Sequence, residues 1–139
     1  MPATQAPGCL VQFATPLRLT IDGSVVSSLD GDALWAGVVR RVRTLAGLYG
    51  AGAPSLPVDA LWVVEELKTS VVSVRRYSER QQRSMEWPGV VGFARLRMLG
   101  DPSMPWRLLR FIEAVQLGKA TQFGFGAVRC SPVTGHSLS

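Results

Sequence analysis

Residues 67–98 read LKTSVVSVRRYSERQQRSMEWPGVVGFARLRM, and how they fold decides the architecture. β-branched and apolar residues flank a stretch rich in arginine, which suits two strands of one antiparallel pair. We place the first strand at about Lys68 to Gln82 and the second at about Gly89 to Met98. Trp87-Pro88-Gly89 supplies the turn residues between them. The result is a long, arginine-rich hairpin.

Working outward, a helix is expected on each side. Leu34, Val38, Val42 and Leu45 recur at helical spacing within a segment from about Asp30 to Tyr49, with Asp30 or Ser28 available as its cap. Arg40, Arg41 and Arg43 fall largely off that face, where solvation is the ordinary expectation. Met104 to Gly118 carries a second apolar stripe through Trp106, Leu109, Ile112 and Val115. A shorter helix is expected over Val58 to Glu66 as a small insertion. Further out lie two terminal strands. Residues 10 to 21 alternate through Val11, Phe13, Leu17, Leu19 and Ile21, with Pro16 marking a bulge and Asp22-Gly23 a turn. Phe125 to Cys130 makes the last strand. The order strand, helix, strand, strand, helix, strand predicts an α+β ferredoxin-like (RRM-like) domain, a four-stranded antiparallel sheet with two main helices on one face. Residues 1–9 are expected to form a flexible start, 10–131 the domain and 132–139 a flexible tail.

Composition restricts what such a domain does. Hydrophobic residues are 47% of the chain and charged ones 18%, enough apolar material for a packed core. The apolar runs are too short to span a bilayer, and Met1 to Gly8 has no secretory pattern, so a cytoplasmic protein without membrane contact is expected. The net charge of +5 and a pI near 10.0 suit a polyanionic partner. From Lys68 to Arg110 nine basic residues face only Glu79, Glu86 and Asp101. Cys9 and Cys130 lack metal-ligand spacing and the single histidine, His136, is in the tail, so no metal and no cofactor are expected. The first and last strands of this topology are neighbours, which puts the two cysteines at one end of the sheet, as reduced thiols in a reducing compartment.

Four segments carry a resemblance: Phe13-Ala-Thr-Pro-Leu-Arg-Leu, Arg40-Arg41 with Leu45 and Tyr49-Gly50, Arg76-Tyr77-Ser78-Glu79-Arg80-Gln81, and Leu117-Gly118-Lys119-Ala-Thr-Gln-Phe-Gly-Phe-Gly. In order and spacing they resemble the carboxy-terminal domain of the CRISPR repeat-RNA processing endoribonucleases of the RAMP superfamily. The resemblance implies CRISPR repeat RNA as partner, with a second ferredoxin-like chain or other CRISPR effector subunits as further candidates. It also implies metal-independent cleavage, in which a ribose 2′-hydroxyl attacks the neighbouring phosphate to leave a 2′,3′-cyclic phosphate. Such enzymes carry two ferredoxin-like domains, and only the second is visible here. The chain is thus expected to be a fragment, a split version or a reduced version, and to need an amino-terminal half or partner for cleavage.

Two constellations are the candidate RNA contacts. One is Arg75, Arg76, Tyr77, Arg80, Gln81 and Arg83 on the hairpin: arginine pairs phosphates bidentately and a tyrosine ring stacks on bases. The competing reading half-buries Tyr77 and pairs arginines with Glu79 and Glu86. The other is the glycine-rich loop, with Gly118, Lys119, Thr121, Gln122, Gly124 and Gly126, where bare amides and one ammonium meet phosphate oxygens. Its competitor is a plain helix cap with a bulged strand entry. Trp35, Trp62, Trp87 and Trp106 are expected to pack, with Trp87 at the hairpin tip as the exception. No catalytic residue is assigned: His136 sits in a polar tail, and Gln116 stands where some relatives carry histidine and cannot exchange protons at neutral pH. Two rival readings are a non-catalytic RAMP subunit holding guide RNA in an interference complex, and a ferredoxin-like interaction domain with no RNA role.

Overall fold

The computed structural model describes residues 6–21, 24–25, 31–48, 56–57, 59–118 and 124–133. In chain order they form β1 (Gly8–Leu17), β2 (Thr20–Ile21), β3 (Ser24–Val25), α1 (Gly31–Leu48), β4 (Trp62–Ser78), β5 (Arg83–Met98), α2 (Ser103–Val115) and β6 (Val128–Val133). β2 and β3 pair with each other, and the remaining strands make one antiparallel sheet in the order β4-β5-β1-β6. With β2 and β3 set aside, the long strands and the helices follow the βαββαβ order, and the first and third long strands lie at the centre of the sheet. That is the expected ferredoxin-like topology.

Alternation sorts the sheet into two faces. Cys9, Val11 and Phe13 of β1, Val90, Ala94 and Leu96 of β5, and Val128 and Cys130 of β6 are buried on one face. Leu34, Trp35 and Val38 from α1 and Trp106, Leu109 and Ile112 from α2 complete the same core. The opposite face shows Gln12, Arg97 and Arg129 to solvent. α2 begins where the Asp101 carboxylate accepts the Ser103 backbone N–H at 2.9 Å and its hydroxyl at 2.7 Å. Those bonds hold the Asp101 carboxyl below the usual carboxylate range. Pro105 sits in the first turn, where its missing N–H leaves no helical bond unmade. The Trp106 indole N–H donates to the Ala6 carbonyl at 2.9 Å and so ties the start of the chain to this helix.

Several expectations are corrected. Residues 62–66 are strand rather than helix, because Trp62, Val63 and Val64 pair with Met98, Arg97 and Leu96 of β5. The hairpin turns at Glu79 to Gln82, not at Trp87-Pro88-Gly89, which lies inside β5 opposite Val74, Ser73 and Val72. β1 stops at Leu17 with an irregularity between Phe13 and Leu17, around Pro16 as expected, and Thr20–Ile21 belongs to the small second sheet. β6 starts at Val128, not Phe125, and runs to Val133 through residues expected in the tail. Cys9 and Cys130 are free thiols, buried on neighbouring strands: Cys130 lies opposite Val11, one step from Cys9 on the same face. Among the described residues no helix is long and apolar enough to cross a membrane. The expected Asp30, Ser28 and Asp22-Gly23 features lie outside the described residues, as does His136.

Candidate nucleic-acid interface

The hairpin outgrows the sheet. β1 pairs with β5 only as far as Leu17 opposite Val90, whereas β4 and β5 go on pairing from Val71–Val90 to Ser78–Arg83. At ~3.4 Å per residue this projecting two-stranded arm is roughly 25 Å long. Arg75, Arg80, Gln81 and Arg83 are all exposed on it, and Tyr77 is 63% exposed. The half-buried alternative for Tyr77 therefore does not hold. Among the described residues the pairing alternative holds for Arg75, which reaches Glu86 across the arm at 3.6 Å, an exposed pair of small energetic weight. Arg83 Nε donates to Gln81 Oε1 at 3.1 Å over the turn. The turn itself uses Gln82 at φ +50 in place of glycine. Arg76 pairs through its backbone with Met85, and its side chain lies outside what is described.

The glycine-rich loop is described only at its two ends. Lys119, Thr121 and Gln122 lie outside the described residues. Leu117 N–H donates to Gly126 O at 2.9 Å and Gly126 N–H to Pro16 O at 2.9 Å, so the ends are bonded to each other and to β1. This closure dictates two of the glycines. A Cβ on Gly126 would lie 1.7 Å from Leu117 O, and one on Gly118 2.3 Å from Arg18 O, both at positive φ. Close backbone packing thus accounts for Gly118, as the competing reading proposes, and also for Gly126, which that reading does not cover. It does not account for Gly124, which is exposed with nothing within 4 Å of its Cβ direction.

One cluster joins arm and loop. Trp87 is not at the tip. Its ring lies 5.6 Å from that of buried Phe125 at the loop's exit, and the Arg18 guanidinium sits 5.2 Å from the Trp87 ring centre and 5.7 Å from that of Phe125. Arg18 Nη1 also donates to Pro88 O at 3.1 Å. Partial burial lowers the Arg18 pKa, though a guanidinium remains charged at any physiological pH. Arg75 stands one rung beyond Trp87, so the arginines begin next to the loop's anchor and continue away from it.

Arg41 is not merely solvated. Its Nε donates to Gln116 O at 3.0 Å and its Nη2 to Val115 O at 2.7 Å, capping the end of α2 just before the loop. Gln116 has φ +69, and its N–H returns to Ile112 O at 2.8 Å. Trp35, Trp62 and Trp106 pack as expected, Trp35 and Trp62 edge to face at 4.9 Å. Arg18 is the residue that sequence reasoning missed. It stands in the quoted Phe13–Leu19 segment, yet no charge run or spacing singles it out.

Comparison with known proteins accords with the fold. The family described as CRISPR-associated endoribonuclease Cas6 matches residues 11–128. Comparison with curated proteins gives no match. Among solved structures, the Thermus thermophilus Cas6 aligns over 91% of this chain and 54% of its own length, with a TM-score of 0.65 and 14% identity. A Cas6 product complex aligns over 91% and 52%, with a TM-score of 0.61 and 16% identity. The same fold occurs in a partial Cas6-RT-Cas1–Cas2 complex, matched over 97% of this chain and 24% of that one, with a TM-score of 0.62 and 10% identity. The chain spans about half the length of the Cas6 structures. With a family match over most of its residues, the chain belongs to the CRISPR-associated endoribonuclease Cas6 family.

Proposed function

We propose that this chain is the carboxy-terminal, RNA-gripping half of a CRISPR repeat-RNA processing endoribonuclease. The observation that carries the reading is the arm of Arg75, Tyr77, Arg80 and Arg83, fastened beside the glycine-rich loop through Arg18, Trp87 and Phe125. Exposed guanidinium groups and one open aromatic ring, set out along a rigid ribbon, suit a ribose-phosphate strand with unstacked bases. Arg76, Gln81, Gly118, Lys119, Thr121, Gln122, Gly124 and Gly126 complete the proposed contact set. Related structures described as product and substrate-mimic complexes support RNA as the ligand.

Cleavage is assigned to groups beyond this set. Metal-free attack by a 2′-hydroxyl needs a base for its proton and an acid for the leaving 5′-oxygen. At the end of α2 stands Gln116, an amide that exchanges no proton at neutral pH. A second ferredoxin-like half, in the same or another chain, supplies the acid and base, and the RNA is cut in the cytoplasm where it is transcribed. The complex that joins Cas6 with RT, Cas1 and Cas2 supports other CRISPR proteins as further partners.

The test is anisotropy titration of labelled repeat RNA at rising salt, with gel analysis for cut product. Binding should weaken with salt, with a log–log slope of roughly −0.7 per phosphate contact, and no product should appear. Binding indifferent to salt, or equal affinity for unrelated duplex DNA, defeats the RNA reading. Cleavage by this chain alone defeats the placement of the acid and base elsewhere.

A further inference from the structure

A cavity of about 180 Å³ lies between α1 and the chain that leaves β1, on the inner side of the loop base. We propose that it is a phosphate-binding site formed by Arg18, Arg40, Arg41 and Thr44 around Gly118. It is distinct from the arm and from the loop's outer glycines. Only the origin of the phosphate rests on the RNA reading above.

Two close approaches build it. A Cβ on Gly37 would lie 2.8 Å from Leu19 Cδ2, so α1 rests directly on the segment after β1. On the other side Gly118 lies so close to Arg18 that a Cβ would lie 2.3 Å from its carbonyl oxygen. Between these walls Arg40 and Arg41 stand one helical turn before Thr44, on neighbouring tracks of α1, so all three border one opening. Arg41 is held in place by the Val115 and Gln116 carbonyls, and Arg18 by the Pro88 carbonyl and the Trp87 and Phe125 rings. Guanidinium groups positioned in this way before a ligand arrives lose little freedom on binding it, and their planar N–H forks match phosphate oxygens.

Among the described residues that line it are three arginines and one threonine, and no acidic residue. A neighbouring hollow on α1 is larger, about 660 Å³, but mixes Arg40 and Arg43 with Asp32 and Asp59, and so has no preference for an anion. The smaller cavity is below the ~300–1,000 Å³ of ordinary small-molecule pockets. A single phosphate group fits that size and charge.

The experiment is a titration of the isotope-labelled chain with inorganic phosphate at constant ionic strength, followed by amide chemical shifts. Saturable shifts should centre on Gly118 and Thr44, and should disappear in Arg40→Gln and shrink in Thr44→Val. Arg43→Gln, outside the cavity, should leave them intact. Shifts linear in phosphate, centred on the arm arginines, or equally sensitive to Arg43→Gln would overturn the proposal, whatever the RNA affinity does. Repeat-RNA titration then gives the source. A loss on the order of tenfold in Arg40→Gln but not in Arg43→Gln makes the phosphate part of an RNA backbone. Unchanged RNA affinity, or no RNA binding at all, alongside saturable phosphate binding leaves the site standing for a free phosphate or mononucleotide.

Discussion

Replacing Trp87 by alanine removes the ring that fastens the arm to the loop. Three contributions are lost: the pairing with Phe125, the Arg18 contact, and apolar area where a half-buried indole covers its neighbours. The ring pair contributes ~1 kcal/mol, and the cation contact at a partly desolvated site about the same. Some 50 Å² of lost apolar burial at ~25 cal/mol per Å² adds roughly 1 kcal/mol. The total is about 3 kcal/mol, a large share of the ~5–15 kcal/mol that holds an ordinary domain together. Because the outer arm pairs only within itself, the loss should appear first as local opening. Hydrogen exchange over Val71 to Gly89 should accelerate ~100-fold, and repeat-RNA affinity should fall without any arm arginine being touched. A double-mutant cycle with Trp87→Leu and Phe125→Leu keeps apolar bulk and isolates the ring pair. Urea unfolding should then give a coupling near 1 kcal/mol. If the two substitutions add within ~0.3 kcal/mol and exchange in the arm is unchanged, the arm is not anchored in this way.

Gly126→Ala should destabilise by ~3 kcal/mol or more, since its Cβ meets Leu117 O at 1.7 Å, while Gly124→Ala should cost ~1 kcal/mol for positive φ alone; equal losses in denaturant titrations would refute the closed loop base. Tyr77→Ala should weaken repeat-RNA binding by about 1–3 kcal/mol, with Tyr77→Phe retaining most of the affinity and both variants as stable as the parent; a loss in Tyr77→Phe as large as in Tyr77→Ala would show that the hydroxyl, not the ring, is read. The neighbouring Cys9 thiol and burial push the Cys130 thiol pKa up, so the folded state keeps a proton that the unfolded chain releases. Stability from this group is therefore complete below the unfolded thiol pKa of ~8.5 and falls by about 1.4 kcal/mol per pH unit above it. Urea midpoints from pH 7 to 10 should show that fall, and Cys130→Ala should flatten it; a slope unchanged in the alanine variant would refute the assignment.

Much of the architecture is legible in the residues because burial enforces it. Leu34 and Val38, or Trp106, Leu109 and Ile112, have no other way to reach a common core than helical turns. Where local chemistry and tertiary context part company, the sequence misleads. Trp87-Pro88-Gly89 has turn composition but runs straight through β5. The Pro88 carbonyl points to Arg18, so its nitrogen also faces away from β4, and no ladder bond is lost there. Gly89 is there for space: a Cβ would lie 2.6 Å from that of Pro16. The actual turn, Glu79-Arg80-Gln81-Gln82, contains neither glycine nor proline and leaves no local signature. Val58 to Glu66 is a short apolar run of the kind that fits helix or strand equally, and the partner strand β5 decides. The site was legible in part. The arm's arginines follow from composition, whereas the exposure of Tyr77 comes from the arm's outrunning β1, which alternation alone does not give. Arg18 and the grip of Arg41 on α2 follow from contacts between residues about 70 positions apart, which no local pattern encodes.

The unaccompanied end of the hairpin also bears on how copies of this chain behave toward one another. Past Val90, β5 has no strand beside it on the flank away from β4 among the described residues, and such a flank in most sheets would invite another copy to add on. The outward-facing Pro88 interrupts that flank, and cations at Arg75, Arg80 and Arg83 repel a second arm approaching in parallel or antiparallel register. The same positive charges are thus expected to disfavour polymerisation whenever the proposed RNA does not cover them. Neutralising them to test the proposed RNA contact should carry a second, separable consequence: concentration-dependent self-association of the chain.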